Sequence, residues 1–174
     1  ALGVPRRLAC LATCHTWYSD TVKMKLVERL DKRLLRSFDQ VVAVSDEIRA
    51  DLVASGVPAA GVTTIDNGIT VPTRDPGARD SIRAEFGVTA DDHLVVQIGR
   101  LARSKRNDLL LEAVARLPQA ARIRVLLVGE GGERDSLLEQ ADRLGLAGRV
   151  TFCGYRTDAH RFLSAADVFV LSSK

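Results

Sequence analysis

The sequence predicts an α/β fold built on parallel sheets, and three observations carry that reading. Short apolar runs alternate with amphipathic stretches from one end to the other, the pattern of strands joined by crossover helices. Two of the runs, Leu94–Ile98 and Ile123–Val128, lead straight into glycine and then into helical patterns. Around residues 66–80, Asp66-Asn67-Gly68, Pro72 and Asp75-Pro76-Gly77 stand among few large apolar residues, which marks a linker and a domain boundary.

In chain order, the apolar runs place strands at Leu8–Thr13, Gln40–Val44, Val62–Ile65, His93–Ile98, Ile123–Val128, Val150–Cys153 and Val168–Leu171. Helices are expected between them at Val22–Phe38, Asp46–Ser55, Ser81–Phe86, Asn107–Leu117, Glu133–Leu144 and Thr157–Ala165. The helix from Asn107 shows the logic. Leu110, Ala113, Val114 and Leu117 recur at i, i+3, i+4 and i+7, so one face packs on a sheet, and Pro118 closes the helix. The final run stops three residues before the end, before any helix could cover it.

A chain of 174 residues, 46% hydrophobic and 27% charged, can bury a real core. Its formal net charge of only +3 gives no support to a general nucleic-acid role. The charge is local: residues 1–38 hold eight Lys or Arg against three acids, so the helix 22–38 admits peripheral contact with an anionic membrane surface. Cys10, Cys14 and Cys153 are too few for a disulfide framework, which favours a reducing compartment and a cytoplasmic location. No run of 18 apolar residues exists, and the start Ala1-Leu2-Gly3-Val4-Pro5 has neither an initiator Met nor a signal-peptide layout, so the chain reads as a piece of something longer.

The strongest local signal is Leu94-Val95-Val96-Gln97-Ile98-Gly99-Arg100 with Lys105 and a new helix behind it. An apolar strand delivers the backbone to the carboxyl edge of a sheet, where glycine, cations and a helix amino terminus suit a phosphate; the alternative is a solvated basic loop. Arg103 and Arg106 read as surface charges. A second turn, Gly129-Glu130-Gly131-Gly132, follows the next strand. It fails as a dinucleotide fingerprint because the sixth position is Arg134 and no ribose-binding acid stands near Arg149 and Val150. Either a tight turn or a close backbone approach to a nucleotide explains its glycines.

His15, after the first strand in Thr13-Cys14-His15-Thr16-Trp17, could bond a sugar hydroxyl or a phosphate, or be structural. Zinc at Cys10, Cys14 and His15 is disfavoured, because the cysteines share one strand face, His15 takes the other, and a fourth ligand is missing. His93 and His160 have no paired nucleophile, and neither a G-x-S-x-G elbow nor a Walker lysine motif appears.

Taken in order, Thr13-Cys14-His15, Asp39–Ser45, Ile65–Ile69, Gly99-Arg100-Leu101 with Lys105, Val128–Gly131, Val150–Tyr155 and Ala166–Ser172 resemble the retaining GT-B glycosyltransferases of the family 4 type. The resemblance implies two Rossmann-like domains: residues 1–68 as the carboxyl-terminal part of an acceptor-side domain, 69–80 as linker, and 81–174 as the amino-terminal part of a donor domain. It implies that Arg100 and Lys105 neutralise the diphosphate of a nucleotide-sugar donor, with no metal and no cofactor. Gly129, Glu130 and Gly131 would border the nucleotide, and the turn Phe152, Cys153, Gly154 would meet its base. His15 would be the catalytic cleft histidine. The acceptor, a carbohydrate or lipid-linked molecule, is not specified by the resemblance; the Ala- and Arg-rich composition and the basic helix Val22–Phe38 point to a lipid-linked or envelope-polysaccharide one.

Two features depart from the family pattern. Arg106 stands where the family commonly has glycine. The family's pair of glutamates would begin just past Ser173, so the chain by itself is expected not to turn over. A nucleotide-binding module without catalysis is the alternative reading, and a non-enzymatic α/β interaction domain a third.

Overall fold

A computed structural model describes residues 9–15, 22–71, 73 and 75–173. The start of the expected first strand at Leu8, and Thr16 and Trp17, lie outside the described residues. The chain divides into two compact units at Val71/Pro72.

In the first unit, β1 (Leu11–Cys14), β2 (Gln40–Ala43) and β3 (Val62–Thr64) form a parallel sheet in the order β1-β2-β3, joined by helices α1 (Val22–Leu35) and α2 (Asp46–Ala54). Ser45 caps α2 by accepting from the Ile48 N–H at 3.3 Å, and Asp46 and Glu47 complement the helix dipole in its first turn. Val41, Ala43, Leu52 and Leu35 close the core of this unit. The helix expected to Phe38 ends at Leu35, where the chain turns with the Ser37 N–H on the Leu34 carbonyl.

The second unit holds α3 (Ala78–Glu85), β4 (His93–Ile98), α4 (Asn107–Ala115), β5 (Ile123–Val128), α5 (Arg134–Arg143), β6 (Val150–Gly154), α6 (Ala159–Ala165) and β7 (Val168–Phe169). Its sheet is parallel throughout, in the order β6-β5-β4-β7. Leu94, Val96, Leu126 and Val128 face a layer with Ile82 of α3 and Phe162 of α6. Val95, Val125 and Leu127 face the opposite layer with Leu110, Leu111 and Val114 of α4 and Leu137 of α5. Covering on both faces is why β4 and β5 are mostly apolar, interrupted inside only by Gln97 and Arg124, each buried Val or Leu contributing about 1.5–3 kcal/mol.

α3 begins at Ala78, three residues before the expected helix and inside the expected linker. The turn that precedes it is set by Asp75, whose carboxylate accepts from the Gly77 N–H at 3.0 Å, and Ala78 is buried. The last strand is shorter than expected: Val168 and Phe169 form its ladder with β4, flanked by bonds from the Asp167 N–H to the Leu94 carbonyl at 2.8 Å and from the Val170 N–H to the Val96 carbonyl at 2.9 Å. Its entry is pinned by Asp167. Oδ2 accepts from the Leu94 N–H at 2.7 Å and from Arg83 at 3.1 Å, and Oδ1 from Arg79 at 2.7 Å. Burial works to raise the Asp167 pKa, yet the Leu94 N–H and the two guanidinium groups outweigh it and hold the carboxyl down at about 2.

Candidate functional site

Strand order sets the position of the site. From β4 the chain runs outward to β5 and β6, then returns to lay β7 on the other side of β4, so the order reverses between β4 and β7. The crevice outside the carboxyl ends of strands at such a reversal is where open α/β sheets take ligands. Gly99, Arg100 and Lys105 follow β4 directly.

Two turns are locked together there. The Gly99 N–H donates to the Val128 carbonyl at 2.9 Å and the Gly129 N–H to the Gly154 carbonyl at 2.8 Å. One step further, the Leu101 N–H donates to the Glu130 carbonyl at 2.9 Å and the Glu133 N–H to the Leu101 carbonyl at 3.0 Å. A Cβ built on Gly129 would lie 2.1 Å from the Gly99 carbonyl oxygen, and one built on Gly131 2.3 Å from that of Leu101. Gly129 also holds φ at +135°. The close backbone approach left open in the sequence is therefore made by the neighbouring turn, which by itself demands these two glycines.

Arg100 is exposed, and among the described residues its guanidinium has no hydrogen-bond or ion-pair partner. Lys105 is half-buried, its ammonium also without one, with Cε 4.0 Å from where a Gly99 side chain would begin. The segment carrying Lys105 is tied to the end of β7: Ser172 Oγ donates to the carbonyls of Lys105 at 2.8 Å and Arg106 at 3.0 Å. Arg106 takes the left-handed conformation, φ 49° and ψ 41°, which explains the family's glycine at this place. Its guanidinium grips Asp108 with two bonds, Nε–Oδ1 at 3.1 Å and Nη2–Oδ2 at 2.9 Å. Arg103 is an exposed charge.

A cavity of about 360 Å³ opens beside Gly99, Arg100, Gly129, Glu130, Tyr155 and Arg156, with Ile98, Val128 and Ala159 as its apolar wall. Phe152 and Cys153 point into the two core layers and do not line it; Gly154, at φ +69°, turns the chain to Tyr155 at the cavity edge. Burial pushes the Cys153 thiol up to about 12, so at neutral pH it is protonated and unreactive. Glu130 reaches over this turn, Oε1 standing 3.5 Å from the Tyr155 N–H. Arg156, at the cavity edge, pairs with Glu85 at 2.6 Å and Asp158 at 2.8 Å and covers the Phe162 ring. Tyr155, Gln97 and Ser172 are not singled out as site residues by the sequence, since only the fold brings them to this edge. A second cavity, about 370 Å³, lies on the α4–α5 side and includes Asn107 and Ser136. His15 stands exposed directly after β1, in the first unit.

The "Glycosyl transferases group 1" family matches residues 78–174, more than half of the chain. The chain belongs to this family. In this group 1 member, residues 1–71 match a second description, "Glycosyltransferase Family 4". It is similar to the lipopolysaccharide core biosynthesis glycosyltransferase LpsE of Rhizobium meliloti, 45% identical over 91 residues, covering 52% of this chain and 26% of that protein. It is also 31% identical over 129 residues to the D-inositol 3-phosphate glycosyltransferase of Mycolicibacterium smegmatis, covering 70% of this chain and 29% of the other. The chain therefore spans under a third of the length of these relatives. Among solved structures, HepE of Anabaena in complex with UDP-glucose matches at a TM-score of 0.78 and 27% identity over 92% of this chain and 46% of that one. The lipopolysaccharide glycosyltransferase WaaG shares the fold, at a TM-score of 0.72, 20% identity and coverage of 92% of this chain and 50% of that one.

Proposed function

We propose that this chain is the donor-binding and adjoining acceptor-side portion of a glycosyltransferase that moves a sugar from a nucleoside-diphosphate sugar to an acceptor, with retention and without metal or cofactor. One observation carries the reading: two cations without carboxylate partners, Arg100 and Lys105, stand at the turn after β4, at the order reversal of a parallel sheet, beside an apolar-walled cavity. The UDP-glucose complex of HepE, at 27% identity, supports UDP as the nucleotide. The diphosphate lies on Gly99 between Arg100 and Lys105, and the base enters the cavity toward Tyr155. As the bond from sugar to phosphate breaks, negative charge grows on the leaving diphosphate. Arg100 and Lys105 stabilise it, Arg by a planar fork and Lys as a point charge. His15, in the first unit, is proposed as the catalytic histidine.

Calorimetric titration with UDP tests the donor reading. The wild-type chain binds, and Arg100→Ala and Lys105→Ala each weaken binding about tenfold or more, as expected for a charge-assisted bond. A folded chain that binds no nucleoside diphosphate refutes it. EDTA leaves UDP affinity unchanged if no metal takes part, and the anomeric configuration of a transferred sugar, read by NMR, tests retention.

The acceptor is proposed to be lipid-linked or part of an envelope polysaccharide, with a cytoplasmic enzyme working at a membrane face. Among the described residues no helix is long and apolar enough to cross a membrane. Leu26, Leu30 and Leu34 of α1 form an exposed row bordered by Lys25, Arg29 and Arg33. Sedimentation with vesicles containing phosphatidylglycerol, absent with phosphatidylcholine alone and lost in Arg29→Glu/Arg33→Glu, is the expected result.

A further inference from the structure

β4 is apolar from Leu94 to Ile98 except at Gln97. Gln97 is 0% exposed, yet neither its Oε1 nor its Nε2 has a hydrogen-bond partner. An unpaired buried amide costs stability, so its place in a strand otherwise made of Leu, Val and Ile calls for a cause. Strand alternation puts Gln97 on the Val95 face, toward α4 and α5. Gly99, two residues on, shares that face. A Cβ built there would lie 3.7 Å from Gln97 Nε2 and 4.0 Å from Lys105 Cε, so both side chains border the space that glycine leaves open.

We propose that Gln97 is a positioning residue for Lys105, an inference that rests on the donor reading above. Lys105 is a flexible chain with three donor hydrogens and no fixed partner. The structure turns Gln97 Nε2, a donor, toward Gly99; with the amide turned over, its Oε1 accepts one of the Lys105 hydrogens when a diphosphate draws the ammonium over Gly99, and the remaining two point at phosphate oxygens. The amide carbonyl is thus left unpaired in the ligand-free protein and paired in the complex, exchanging stability for a single Lys105 orientation.

The test is a double-mutant cycle in UDP affinity, measured by calorimetry on the whole chain, alongside urea unfolding. Gln97→Leu loses about tenfold in UDP affinity, while Gln97→Leu/Lys105→Ala loses no more than Lys105→Ala alone. In urea, Gln97→Leu is at least as stable as wild type, because a methyl-bearing side chain replaces an unpaired amide. Unchanged UDP affinity in Gln97→Leu overturns the proposal, as do losses that add in the double variant. Asn107, at the first position of α4, carries the other buried amide without a partner. A Gln97→Leu that is destabilised and restored by Asn107→Leu shows instead that the two amides serve each other, which also overturns the proposal. Wild-type protein that binds no UDP is a separate result: it removes the donor reading and this inference with it.

Discussion

Gly131→Ala separates the two explanations of the glycine turn after β5. The new methyl would lie 2.3 Å from the Leu101 carbonyl oxygen, 2.7 Å from its carbon and 2.8 Å from its nitrogen. All three are backbone atoms, so no side chain can swing aside. Reaching ordinary contact requires the two turns to separate by roughly an ångström. That breaks or stretches Leu101 N–H to Glu130 and Glu133 N–H to Leu101, each worth about 1 kcal/mol, and begins to unseat the fully buried Leu101. The expected loss is about 2–4 kcal/mol, a fall of roughly 10 °C or more in Tm for a unit of this size. Gly132→Ala is the internal control, since nothing lies within 4 Å of its added methyl. Calorimetric melting of both variants without ligand is the assay. A Gly131→Ala protein that melts within about 2 °C of wild type but no longer binds UDP would refute the packing explanation and assign the glycine to the nucleotide.

Three further outcomes follow from the same structure. The Asp167 carboxyl, held at about 2 against an ordinary 3.8, stabilises the fold above pH 3.8, and that contribution disappears as pH falls through about 2. The shift corresponds to about 2.4 kcal/mol at most, nearer 1–2 after solvent screening because the side chain is 27% exposed; urea unfolding of Asp167→Asn against wild type shows a gap at pH 7 that narrows below pH 4, and a gap independent of pH refutes the charge argument. Arg106→Gly relieves the left-handed backbone, so its urea midpoint is expected to rise with UDP affinity unchanged; a lower midpoint would mean that the Asp108 pair outweighs the strain. Cys153 is expected to resist iodoacetamide at pH 8 in the folded protein and to react once the chain is unfolded, read by mass spectrometry; rapid labelling of the folded form contradicts a thiol raised to about 12.

What was legible in the sequence follows from how local its cause is. β4 and β5 coincide with the expected His93–Ile98 and Ile123–Val128 because burial on both faces writes a mostly apolar run, and glycine ends each one. α3 was misplaced because its start depends on the Asp75 carboxylate and on Ala78 being buried, neither of which gives a large apolar residue. β7 is shorter than the apolar run Val168 to Leu171, because its ladder with β4 holds only Val168 and Phe169, with one further bond from the Val170 N–H to the Val96 carbonyl. At the site, the cations and glycines were visible as residue types in order. The reason for the glycines was not, since it lies in another turn thirty residues away in sequence. Gln97 was invisible as a site residue, for a single polar residue inside an apolar strand carries no periodic signal.

The weight of the donor reading rests on charge placement, and the rest of the second unit shows why. Arg79 and Arg83 face Asp167, Arg122 faces Asp92, Arg156 faces Glu85 and Asp158, and Arg161 faces Asp75. All but the local Arg156–Asp158 pair join distant parts of the chain, and all are spent on the fold. Arg103, Arg116, Arg124, Arg143 and Arg149 also lack an ion pair among the described residues, but none of them lines the cavity beside the turn. Arg100 and Lys105 differ in combining absence of a carboxylate with a fixed seat, one lining the cavity after β4 and the other held through its own carbonyl by Ser172. Two cations without carboxylate partners thus stand on one turn, and a doubly charged diphosphate would supply the counter-charge that the described residues lack.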